Sequence, residues 1–180
     1  MGRSFLLGAH RTPLQMIPVI PDRRFKPRLQ RPKWLYTHNP IYFITFSTEP
    51  RRAILDNAVI HQAFTRFSEK APSYGIHPGY YMLMPDHIHL FAAFAAQAVS
   101  LSTWMKSLKN SLSKALRTLG TPAPHWEKDF FDHVLRSEES YEKKVAYVRQ
   151  NPVRAGLARC AEEWPYQGQI FNLTFVKEKL

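Results

Sequence analysis

Hydrophobic positions along this chain switch between two periods, and each switch marks an element. The run from Ile41 to Thr48 is rich in aromatic and β-branched residues and closes at Glu49-Pro50, which predicts a first strand. Val59, Ile60, Ala63, Phe64 and Phe67 then recur at helical spacing, with Asp56 or Asn57 as the cap and Pro72 and Gly75 as the stop. Gly75 to Gly79 reads as a turn-rich link into a second strand, Tyr80 to Met84. A tight connection at Pro85-Asp86 leads into a third strand, Ile88 to Phe94, antiparallel to the second. After Ser100 a helix carries one apolar stripe from Leu101 and Trp104 to Leu116 and Leu119, ended by Gly120 and Pro122. Phe130 to Leu135 has the character of an edge strand. Ser137 or Ser140 caps a last helix that reaches Gln150, where Asn151-Pro152 ends it because the residue before a proline is pushed out of the α region. Residues 153–180 read as a packed-down extension around Trp164-Pro165-Tyr166.

Composition adds a binding partner to this picture. Of 180 residues, 44% are hydrophobic, with twelve Phe and four Trp, enough to fill the core of one domain. The 25 Lys and Arg outweigh 14 Asp and Glu to give a net charge of +11, the electrostatic footprint expected of a protein that meets a phosphate backbone. Part of that charge sits in residues 1–38, where Arg3, Arg11, Arg23, Arg24, Lys26, Arg28, Arg31 and Lys33 face Asp22 alone among scattered prolines. This stretch reads as a basic arm preceding a domain at 39–180. No stretch approaches the roughly 20 apolar residues needed to span a bilayer. Phe5-Leu6-Leu7 is too short for a secretory signal, so a cytoplasmic protein is expected. Cys160 is the only cysteine, which excludes an internal disulfide and a cysteine metal cluster. Neither a Walker loop nor a Gly-rich dinucleotide loop occurs.

Candidate chemistry starts at Pro85-Asp86-His87-Ile88-His89-Leu90. In a strand, His87 and His89 project from one face while Ile88, Leu90 and Ala92 point to the other, so two imidazoles form half of a metal site. The motif alone is weak among eight histidines and needs partners. The last helix offers two tyrosines. With Tyr141 at zero and about 100° per residue, Val145 and Val148 fall on its side, so Tyr141 belongs to the buried stripe, while Tyr147 stands on the flank. Asn151, four residues on, lies above Tyr147. Taken singly, Tyr147 reads as a partly exposed surface tyrosine and Asn151 as a helix-end residue; the histidines are what turn both toward chemistry. Lys106, Lys109, Lys114 and Arg117 lie off the stripe of the preceding helix, as a solvated face or a phosphate-contacting face beside the site.

Together, Pro85-Asp86-His87-Ile88-His89, Leu108-Lys109, Trp126 with the segment 130–136, and Tyr147-Val148-Arg149-Gln150-Asn151-Pro152-Val153-Arg154-Ala155-Gly156-Leu157 resemble the single-tyrosine HUH transposases, specifically the REP-associated tyrosine transposases, over roughly Tyr36 to Tyr166. The resemblance implies an α+β fold, an antiparallel ferredoxin-like or RRM-like sheet with helices packed on one face. It implies that His87, His89 and Asn151 bind a divalent cation, Mg²⁺ or Mn²⁺, and that Tyr147 is the nucleophile, with Asn151 where some relatives use Gln. Asp86 is expected to be a turn residue rather than a ligand. Lys106, Lys109, Arg149 and Arg154 are expected to hold phosphates of a single-stranded DNA hairpin, and Lys144, one turn before Tyr147, to neighbour the phenol. The implied activity is single-strand cleavage and strand transfer through a 5′-phosphotyrosine, by a monomer or a homodimer. Two alternatives are a hairpin-binding module without catalysis and a phosphodiesterase that activates water.

Overall fold

The computed structural model describes residues 40–174; the expected basic arm, 1–38, lies outside them. Five strands form one antiparallel sheet: β1 (Ile41–Ser47), β2 (Ile76–Leu83), β3 (His87–Phe94), β4 (Phe131–Leu135) and β5 (Gln167–Gln169), in the order β4-β1-β3-β2-β5. Helix α1 (Ala58–Glu69) joins β1 to β2, α2 (Leu101–Thr118) follows β3, and α3 (Glu138–Arg149) follows β4. Caps set the helix starts as expected: Asn57 accepts from the Ile60 N–H, Ser100 from Thr103, and Ser137 from Ser140 in a capping box. The second strand is longer than expected. It begins at Ile76 rather than Tyr80, because the register shift between Pro78 and Tyr81 absorbs Gly79 into the strand as an irregularity. A Cβ at Gly79 would lie 2.5 Å from Leu173 Cδ1, so a larger residue there would make the Leu173 side chain shift.

The α+β antiparallel fold class is the one observed, and the sheet is covered on both faces. Ile44, Phe46, Ile88, Leu90, Leu83 and Tyr81 face α1 and α2, where Phe64, Trp104, Met105, Leu108 and Leu112 complete the core. The expectation of helices on one face holds for α1 and α2, and α3 departs from it by packing on the opposite face. Ile41, Phe43, Phe91, Tyr80 and Met82 point the other way, and α3 covers them with Tyr141, Val145 and Val148, assisted by Trp164. The signal for this second layer is in β1 itself: its burial is nearly continuous from Ile41 to Ser47 rather than alternating, as in a strand sandwiched between layers. Helix α3 thereby lies on the face that also carries His87 and His89.

Candidate metal and nucleophile site

Register places the histidines. Pairing of β3 with β1 sets His89 opposite Thr45 and His87 opposite Ser47, all on the α3 face. The two imidazoles meet edge to face, with Nε2 atoms 3.1 Å apart. Each ring is oriented through its other nitrogen: His87 Nδ1 donates to Asp86 Oδ1 at 2.6 Å, and His89 Nδ1 lies 2.8 Å from Thr45 Oγ1. These partners direct both Nε2 atoms toward one point, which is how histidines are held for metal. Asp86 therefore does more than turn the chain. Hydrogen bonding from His87, helped by Arg51, holds its carboxyl below the usual carboxylate range.

A clamp fixes the turn that carries Asp86. Backbone N–H groups of Ile54 and Leu55 donate to Pro85 O, and Thr48 donates to Asp86 O from both its N–H and its hydroxyl. Arg51, at φ 64, reaches Asp86 Oδ2 at 3.4 Å and donates to Ser47 Oγ at 2.7 Å. Arg51 and Thr45 are invisible to a motif search, because register and loop closure bring them to the histidines.

His89 is only 9% exposed and stacks on Phe43, ring centroids 5.5 Å apart. Burial first, then nearby positive charge, pushes its pKa down to about 3, so the imidazole is neutral and its lone pair available at physiological pH. The donor set fits a divalent cation. A separation of 3.1 Å is close to the edge between neighbouring ligands about 2.2 Å from one octahedral ion. Among the described residues no group of three His, Cys, Asp or Glu could complete such a shell. Further donors would have to be a neutral side chain, water or substrate.

The chain does not leave the helical path at Pro152. After α3, a further turn α4 (Asn151–Arg154) starts at once, with Pro152 in its first turn, where the missing N–H costs nothing. The expected end at Asn151-Pro152 is thus a joint between two helical pieces. Tyr147, Asn151 and Arg154 consequently face one open depression of about 350 Å³, lined also by Met84, His87, His89 and Ala155. Tyr147 is 56% exposed, whereas Tyr141 is half-buried with its ring edge-on to Phe91 at 5.2 Å. The Arg154 guanidinium sits 3.9 Å from the Tyr147 ring centroid and donates to Asn151 Oδ1 and to Tyr147 O. Lys144 Nζ hangs between the rings of Tyr147, at 5.8 Å, and Phe43, at 5.4 Å.

The remaining expected phosphate ligands stand elsewhere. Lys106 and Lys109 lie on α2, on the far side of the sheet from the histidines, so neither is beside this site. Lys106 is exposed to solvent. Lys109 Nζ donates to Glu127 O at 2.8 Å and Asp129 O at 3.1 Å, near the rings of Phe46 and Phe130, and burial lowers its pKa. It ties down the segment entering β4. Arg149, two residues and about 200° from Tyr147, turns to the other flank of α3 and interacts with Tyr80. Lys109→Ala leaves two carbonyls of exposed residues to water in place of a cation, and a loss of about 1 kcal/mol is expected in thermal or denaturant unfolding. The folded fraction should bind DNA like the parent.

A β-sheet that holds two converging imidazoles against a tyrosine, an amide and two cations has the parts of a phosphoryl-transfer site. Residues 36–151 match the family described as IS200-like transposases, and the chain belongs to that family. Among curated proteins, it is 21% identical over 141 residues to a Haemophilus influenzae protein assigned as a REP-associated tyrosine transposase, covering 73% of this chain and 80% of that one. It is 22% identical over 86 residues to the Escherichia coli REP-associated tyrosine transposase, covering 48% and 50%. The solved structure of a REP-associated tyrosine transposase bound to a REP hairpin shares the fold, with a TM-score of 0.61 at 17% identity over 81% of this chain and 95% of that one. Within the described residues, no helix is long and apolar enough to cross a membrane.

Proposed function

We propose that this transposase-family protein is a metal-dependent single-stranded DNA endonuclease and strand transferase for hairpin-forming repeat DNA, with Tyr147 as nucleophile. The observation that supports this best is the convergence of His87, His89, Tyr147 and Asn151 on one open depression, from two elements far apart in sequence. The family match supports DNA transposition, and the hairpin in the structure of a similar transposase favours hairpin DNA as substrate.

In this reading His87 and His89 hold a divalent cation, with Asn151 as the third protein donor. When bound, it would polarise the scissile phosphate and stabilise charge on the leaving oxygen. Tyr147 Oη attacks phosphorus, the P–O3′ bond breaks, the phenol proton passes to solvent and the 3′-oxygen takes up a proton. The tyrosine then carries a 5′-phosphodiester whose energy matches that of the bond lost, so a second 3′-hydroxyl can displace it without ATP. Lys144 and Arg154 place positive charge against the phenol ring, where it would attract the phosphate. Because Asn151 Oδ1 accepts from Arg154, the amide is freed for the cation when the guanidinium turns to a phosphate oxygen.

Incubation of the protein with end-labelled hairpin DNA, in Mn²⁺ and in chelator, tests this function. Cleavage confined to the Mn²⁺ arm is expected. Equal hairpin binding in both arms with no cleavage in either would leave a binding module instead.

A further inference from the structure

Phe131 opens the outer strand β4 and is 52% exposed, although register puts it on the histidine face. Its partner across β1 is Thr45, whose hydroxyl is the hydrogen-bond partner of His89. Phe131, Thr45 and His89 thus form one row across three strands, which spans about 10 Å at the usual strand spacing. Its ring meets Phe43 edge-on, centroids 6.3 Å apart, and Phe43 in turn stacks on His89. The exposed ring therefore continues an aromatic run that starts at the metal site. Lys144 overhangs that run, 5.4 Å from Phe43 and 5.8 Å from Tyr147. His133 follows on the same face, opposite Phe43, and is exposed.

A single exposed phenylalanine usually needs no explanation. This one continues an aromatic run to His89, has the Lys144 cation over that run, and stands on β4, an outer strand of the described sheet. Those are the two parts of a single-strand site, a stacking platform and a backbone cation.

We propose that Phe131 is a stacking platform for an unpaired nucleobase flanking the scissile phosphate, with Lys144 on the phosphate between that base and Tyr147. The inference rests on the proposed DNA-cleaving function, and it deepens that function by assigning a subsite for unpaired DNA beside the hairpin. Stacking of one base on an aromatic side chain is worth about 1–3 kcal/mol, and a ten-fold change in affinity, about 1.4 kcal/mol, lies in the lower half of that range.

Affinity for one hairpin stem carrying no flank, a short unpaired 5′ flank or a short unpaired 3′ flank, measured in chelator to prevent cleavage, tests this. Wild-type protein should prefer one flanked hairpin over the blunt stem by about ten-fold. Phe131→Ala should lose that preference while binding the blunt stem as before, and Phe131→Trp should keep it. Blunt-stem binding by Phe131→Ala also reports that it is folded. A preference that survives in Phe131→Ala, or no preference in the wild type, overturns the subsite. Self-association lost in Phe131→Ala without a flank preference would assign the ring to a second copy and overturn it equally. Failure of the wild type to bind any of the three hairpins would instead strike the proposed function.

Discussion

Tyr147→Phe is expected to yield a folded protein that binds hairpin DNA with unchanged affinity and cleaves none of it. The ring is 56% exposed and contributes little to the core, and its contact with the Arg154 guanidinium at 3.9 Å needs the ring face, which phenylalanine keeps. Only the oxygen that would form the bond to phosphorus is removed. Loss of an attacking nucleophile typically costs on the order of 10⁴-fold or more, so single-turnover cleavage should fall to background. Tyr141→Phe is the matched control. That tyrosine packs on Phe91 in the second core, and burial raises its pKa, which makes it a poorer source of phenolate. Its replacement should leave cleavage within a few-fold of the parent.

His89→Ala has the second large effect. Of the two Nε2 donors 3.1 Å apart, it removes the one that burial keeps neutral, and a single imidazole on a strand cannot hold a divalent cation tightly. Mn²⁺ binding, read by calorimetry or by electron paramagnetic resonance, should be lost at concentrations that saturate the parent. Cleavage should disappear with it, and hairpin binding in chelator should persist. Asp86→Asn should fall between, because the ring of His87 stays in place while its charged Nδ1 acceptor is lost; a 10- to 100-fold weaker Mn²⁺ affinity is the usual cost. If Asp86 only shaped the turn, the affinity would not move.

How much of this could be read from the chain depends on the distance over which each feature is encoded. The histidine pair, the half-buried Tyr141 packed on the second core and the exposed Tyr147 all follow from periods of two and 3.6 residues, and the structure distributes them as those periods predict. The helix starts are legible to within a residue or a turn, since a cap is a hydrogen bond over three residues: of Asp56 or Asn57 the structure uses Asn57, of Ser137 or Ser140 it uses Ser137, and Ser100 caps the helix that begins after it. The α2 lysines show where local reading stops. Helical spacing tells which side of α2 is apolar, but not which face of the sheet α2 covers, and it covers the face away from His87 and His89. Arg154 is an intermediate case. Its spacing of three from Asn151 and seven from Tyr147 is a helical one, but Pro152 reads as a stop unless it opens a new turn, as it does here. Thr45, Arg51 and the role of Asp86 depend on strand register and on the loop 48–55 closing over Pro85-Asp86, and no spacing rule reaches that far.

In the proposed reaction the phosphate is transferred to Tyr147 itself. The most direct test incubates the protein with Mn²⁺ and hairpin DNA, denatures it, isolates any covalent protein–DNA species and maps the modified residue by mass spectrometry. An adduct on Tyr147, joined to the 5′-phosphate of the downstream strand, is expected. Cleaved DNA with no adduct, the signature of an activated water, would contradict it, as would an adduct on Tyr141.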